Sequence, residues 1–225
     1  MNKFYSLPKI ILWTISILLA FFGGLPLGLT IIFGYEISFL FFFLFPIALP
    51  LAICTSTPLM RVSGYYVYYS PMLLGIKSKK KLDLHNGTTF DYFLNMKLKD
   101  KGIKARYKIL AYYLEGLLTI VGEIESGKIN PSLPIEGTSY FFSDSTAQRL
   151  GFTLQKPIYY YYFNFIFNFT DLFLMYSYSK GKFTIPQIFR IKRAVITPSE
   201  LCAQKENLRT LLNTLKRRIE VSQST

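Results

Sequence analysis

Residues 10–54 form a run of 45 residues with one charged side chain, Glu36. A helix needs about 20 apolar residues to cross the hydrocarbon core of a bilayer, so this run is about twice one crossing. Two helices joined by a tight turn are the economical arrangement. The expected spans are residues 10–33 and 37–55, with Gly34-Tyr35-Glu36 as the turn. Gly23, Gly24, Pro26 and Gly28 fall inside the first span, and Pro46 and Pro50 inside the second. Small residues permit close helix approach, so the second span is expected to pack against this glycine cluster. The prolines predict kinks.

Orientation follows from the bases. Lys3 and Lys9 precede the first span, Arg61 and the group Lys77, Lys79, Lys80 and Lys81 follow the second, and the turn between the spans carries none. The positive-inside bias then places both termini in the cytoplasm of a multi-pass cell-membrane protein. A cleaved signal peptide is the rival, but the apolar run is too long and a second span follows it.

Residues 1–60 are therefore read as a transmembrane helical hairpin and residues 61–225 as a cytoplasmic domain. That domain carries 24 basic and 12 acidic side chains. A surface so charged is drawn to anionic lipid headgroups, and no nucleic-acid partner is expected. Cys54 and Cys202 form no CxxC pair, which suits a reducing compartment.

Within the domain, residues 64–70, 72–76 and 80–84 read as strands, with His85-Asn86-Gly87 as a turn. Thr88 and Asp91 have the spacing of a capping box opening a short helix over 89–96. Residues 103–126 keep helical apolar spacing and end at Gly127. A strand is expected over 138–142, then a short helix stopped by Gly151. Residues 157–176 carry only Asp171 as a charge and admit two readings. Phe163, Phe165, Phe167 and Phe169 alternate as in a strand, while Asn164, Asn168 and Asp171 share a helical face. A third crossing would carry one basic set to the outside, so strands over 159–170 and 172–178 are preferred, with Lys180-Gly181 as a hairpin turn. A further strand is expected over 183–196, then one helix over 198–221. The fold class is α+β: a two-helix hairpin, then a mainly antiparallel sheet with two to four helices.

The chemistry is sparse. His85 is the only histidine. As a catalytic pair, His85 would act as a general base oriented by Asp91; the plainer reading is a histidine in a surface turn. Asn86, Ser139, Ser143 and Asp144 are candidate binding residues, the last three in a hydroxyl-rich stretch (139–146) before the short helix. Lys79, Lys80 and Lys81 are candidates for contact with anionic headgroups. One His and two distant Cys predict no metal site, and no GxGxxG, P-loop, HExxH or GxSxG motif occurs, so no cofactor is expected. The run Ala147-Gln148-Arg149-Leu150-Gly151-Phe152 resembles the closing helix of acetyltransferases over six residues, without their pyrophosphate loop Q/R-x-x-G-x-G/A. Three functions follow as expectations: a membrane-anchored binding or scaffolding domain that engages a membrane or cytoplasmic protein, a membrane-tethered acyltransferase-like enzyme using the His85 region, and an immunity-type membrane protein.

Overall fold

The computed structural model describes residues 3–139, 144–156, 162, 165, 168–186 and 192–223. Helix α1 (Lys9–Glu36) is followed by a 3-10 turn (Phe39–Leu44) and helix α2 (Phe45–Val62). Both apolar segments are long enough to cross a membrane. Their packing is inverted relative to a soluble core. The buried residues of α1 are Leu12, Ser16, Gly23, Thr30 and Gly34, and those of α2 are Ala48, Thr57 and Pro58. Phe21, Phe22, Ile32, Phe39, Phe43 and Ile47 point outward. Gly23 sets the closest approach, since a Cβ there would lie 1.8 Å from Thr55 Oγ1. Gly24 and Gly28 face open space, so only part of the glycine cluster serves the contact. The polar side chains of the hairpin are satisfied locally: Ser16 and Thr30 donate to the carbonyls of Leu12 and Pro26.

The rest of the described chain is an α+β unit around one six-stranded sheet. Its strands are β1 (Val67–Ser70), β2 (Leu73–Lys77), β3 (Leu82–Asn86), β4 (Ile135–Ser139), β5 (Thr153–Gln155) and β6 (Lys192–Ile196), in the order β1-β2-β3-β4-β6-β5. Only the β3–β4 pair is parallel. The crossover between those two strands holds helices α3 (Thr89–Asn95) and α4 (Ile103–Glu125). Helix α4 lies on one sheet face, where Leu82, Ile135 and Ile196 meet Ile109, Leu114, Leu117 and Val121. It approaches β2 so closely at Gly116 that a Cβ there would sit 2.6 Å from Leu73. Helices α5 (Asp144–Arg149), α6 (Phe169–Lys180), α7 (Pro198–Ala203) and α8 (Lys205–Gln223) complete the unit, with Leu201, Leu208, Leu212 and Leu215 of the last two in the same core.

Several expectations need correction. Six helices, more than the two to four expected, follow the hairpin among the described residues. His85 and Asn86 do not turn. They pair with Leu74 and Leu73, and the ladder runs on through Gly87, whose N–H donates to the Met72 carbonyl. The strand expected over 172–178 is helical, because Asp171, Leu172, Met175 and Ser179 are buried with helical spacing. Lys180-Gly181 is the end of that helix, Gly181 taking φ 72° as its left-handed cap. The final helix is two, divided at Gln204. Most of the strand expected over 159–170 lies outside the described residues. Of the one expected over 183–196, residues 183–186 are not strand, 187–191 lie outside the described residues, and the remainder is β6. β5 has no counterpart in the sequence reading.

Candidate functional site

The candidate residues fall into two places. The first is the end of β3. Leu82 and Leu84 point into the core, so period-2 alternation puts Asp83 and His85 on the opposite face. His85 Nε2 lies 3.8 Å from Asp83 Oδ1. Burial holds the imidazole below its ordinary pKa, against the pull of Asp83. Asn86 points back toward α4 and accepts a 2.6 Å hydrogen bond from the Tyr113 hydroxyl. A cavity of about 50 Å³ lies here, walled in part by His85, Asn86, Tyr113, Thr138, Ala147 and Leu150. Ligand pockets are commonly several times larger, on the order of 300 Å³ and above. The cavity suits water or a small group and not a coenzyme.

The second place is the junction between hairpin and domain. Here the expected capping box forms at the start of α3. Asp91 Oδ2 accepts from the Thr88 N–H at 2.8 Å, the Thr88 hydroxyl at 3.1 Å and the Tyr68 hydroxyl at 2.8 Å. Its other oxygen, Oδ1, has no hydrogen-bond partner among the described residues. Burial pushes the Asp91 carboxyl up to about 6, although Tyr68 and Thr88 pull it down. Thr88 also receives a 3.0 Å hydrogen bond from Thr57 of α2. One turn on, Arg61 lies between two rings, 3.7 Å from the centroid of Tyr5 and 4.1 Å from that of Tyr68. The second buried carboxylate, Asp171 of α6, accepts from the N–H of Thr89 at 3.2 Å and from its hydroxyl. The junction thus joins α2, β1, α3 and α6 through two carboxylates, three threonines and a stacked guanidinium.

His85 and Asp91, paired in the sequence reading, are engaged by different partners: Asp83 for the first, Tyr68 and Thr88 for the second. His85 and Asn86 do share the cavity with the flanks of the 139–146 stretch, Thr138 and Ala147. Ser139 is the last residue of β4, and Ser143 lies outside the described residues. Asp144 opens α5 and pairs with Lys192. The three lysines divide. Lys79 and Lys80 are exposed in the β2–β3 turn, while Lys81 reaches Asp83 at 2.8 Å and Glu136 at 3.1 Å. Burial alone would raise the pKa of Glu136, but Arg193 and Lys81 outweigh it and hold the carboxyl low. Arg61, Tyr68 and Thr57 are site residues that sequence reasoning misses. The available signal is a base at the end of an apolar span followed by tyrosines, the usual composition of a membrane boundary. Among the described residues no group of three or more His, Cys, Asp or Glu is placed to hold a metal ion. No family model, curated protein or solved structure matches this chain.

Proposed function

We propose that the chain is an integral membrane protein whose helical hairpin holds a binding domain against the cytoplasmic face of the bilayer. The inverted burial of α1 and α2 carries this reading. Small and polar side chains fill the seam between them, and the large apolar ones face out. In water such a surface exceeds what a soluble monomer exposes; in lipid it is the ordinary arrangement. Lys9 and Arg61 stand at one end of the hairpin and Glu36 at the other, which favours the cytoplasm for the domain. The exposed Lys79 and Lys80 lie in a turn at the sheet end where β1 enters from α2.

A binding role is preferred to catalysis because His85 has no nucleophile bonded to it among the described residues and stands beside a cavity too small for an acyl-carrier substrate. The test is cysteine labelling in intact cells, with Cys54 and Cys202 replaced by Ser. A membrane-impermeant maleimide should label Glu36→Cys at once and Glu206→Cys only after permeabilisation. Labelling of Glu206→Cys from outside would overturn the orientation. Recovery of the full chain in the soluble fraction after carbonate extraction would overturn the anchoring itself.

A further inference from the structure

The hairpin is not the whole of the apolar surface. Helix α6 stands beside α2, and the Thr170 hydroxyl donates to the carbonyl of Pro46 at 3.3 Å. Pro46 is the second residue of α2 and Val62 its last. At 1.5 Å per residue the start of α6 is therefore about 24 Å along α2 from the domain end. The position of the bilayer is bounded by α1, 28 residues long from Lys9 to Glu36, or about 42 Å. The hydrocarbon core is about 30 Å thick. With Glu36 kept outside that core, the near boundary rises no more than about 12 Å above Lys9. Tyr5, four residues before Lys9, stacks on Arg61, so the bases of the two helices are level. Thr170 then lies inside the hydrocarbon by on the order of 12 Å.

The side chains of α6 fit that depth. Its buried set includes Asp171, Ser177 and Ser179, and each has a partner. Asp171 accepts from Thr89, Ser177 donates to the Thr184 carbonyl and Ser179 to that of Tyr176. Its outward side carries Leu174, 47% exposed, and the segment after it carries Phe183, 89%, and Ile185, 68% exposed. Phe169 and Phe173 of the helix continue a ladder of rings from the buried Phe165 before it to Phe183 after it, with centroids 5.8, 6.3 and 6.2 Å apart. Leu172 and Met175 share the buried side. The exposed Lys180 and Lys182 flank the cap at the end away from Pro46, where long basic side chains extend to the headgroups. Paired polar groups inside, with Leu174, Phe183 and Ile185 outside, are what a lipid solvent admits.

We infer that α6 and the Phe183–Ile185 segment are a third membrane-inserted element, entering the bilayer from the cytoplasmic side beside α2 without crossing it. The occupant of the exposed apolar face is the acyl region of the lipid. The inference rests on the anchoring reading, and its test separates the two. Trp13 is the only tryptophan but lies only about 6 Å above Lys9. Hairpin insertion is therefore reported by a variant carrying Trp13→Phe and Phe21→Trp, its reporter about 18 Å above Lys9, where the native ring is already exposed. A second variant carrying Trp13→Phe and Phe183→Trp moves the reporter to a site where the native ring is already exposed. Both proteins are reconstituted in phosphatidylcholine vesicles with acyl chains brominated at a shallow or a deep position. Emission from both should fall at least twofold with bromolipid and resist aqueous iodide. Quenching of the position-21 reporter by bromolipid, with the reporter at position 183 quenched only by iodide, overturns the inference and leaves the anchor standing. Shielding of the position-183 reporter from both quenchers means a second protein copy covers the face, and also overturns it. A position-21 reporter insensitive to bromolipid overturns the anchoring reading. An Arg209→Trp reporter on the charged helix α8, in the Trp13→Phe background, should follow iodide alone. Its quenching by bromolipid would mean that quenching does not distinguish inserted residues, and would overturn the reading of position 183 as inserted.

Discussion

The Tyr68 hydroxyl donates to Asp91 Oδ2 at 2.8 Å, joining the first strand of the sheet to the cap of α3. Tyr68→Phe removes one of the three donors on that oxygen and leaves the two from Thr88. A hydrogen bond to a charged group contributes about 1.5–3 kcal/mol, so the detergent-solubilised variant should unfold with a loss in that range. The Asp91 carboxyl should also rise further, observable as a shifted carboxyl band in an infrared titration. An unchanged band would show that the phenol does not act on Asp91.

The pH dependence has a defined sign. The folded-state pKa of Asp91, about 6, stands above the ordinary 3.8, so the fold favours the protonated carboxyl. Its contribution to stability is complete below 3.8 and is lost as pH rises through about 6. At about 1.4 kcal/mol per pKa unit the change is on the order of 3 kcal/mol. Asp91→Asn, which cannot ionise, should flatten this slope. The difference in urea midpoint between variant and native protein should therefore grow in the variant's favour from pH 4 to pH 7. A difference that is constant with pH would contradict the assignment.

Arg61 lies between Tyr5 and Tyr68 and holds the segment before α1 against the junction. Each cation–π contact contributes about 0.5–2 kcal/mol according to its desolvation. Arg61→Ala should release the N-terminal 3-10 turn and speed proteolysis after Tyr5 several-fold. Arg61→Lys should restore only part of the protection, since an ammonium cannot stack as a plane between two rings. Equal protection in all three proteins would show that the stacking does not hold the segment.

The hairpin seam gives a paired test. Gly23→Ala places a methyl group against Thr55, while Gly24→Ala meets nothing within 4 Å. The first should cost about 1–3 kcal/mol as the helices move apart. The second should be neutral or slightly stabilising. Thermal unfolding in detergent checks both, and equal effects would show that the α1–α2 contact lies elsewhere.

Local signals are legible in the sequence. The capping box of Thr88 and Asp91 forms as its spacing implies, and α4 ends within a residue of the expected place, followed by Gly127 with positive φ. The segment around Asp171 is harder. Its aromatic residues satisfy a period of 2 and, with Asn164 and Asn168, a period of 3.6, so pattern alone cannot choose. Tertiary surroundings decide: Thr89, 82 residues earlier in sequence, supplies the partner that lets Asp171 be buried on a helix. The same limit hides the junction. Tyr68 meets Asp91 across 23 residues and Thr57 meets Thr88 across 31, and no local spacing encodes either contact. His85 and Asn86 read as a turn because Asn-Gly commonly forms one; the β2 ladder keeps them in a strand.

The parallel β3–β4 pair carries a consequence for assembly during synthesis. β1, β2 and β3 are consecutive antiparallel neighbours and can pair as they leave the ribosome. β4, which emerges only after the whole of α3 and α4, then docks with one edge bare until β6 arrives more than 50 residues later. Glu136 waits for Arg193 over that interval. A ribosome stalled between the two would display an unfinished sheet margin, the stage at which a nascent chain has most need of a chaperone.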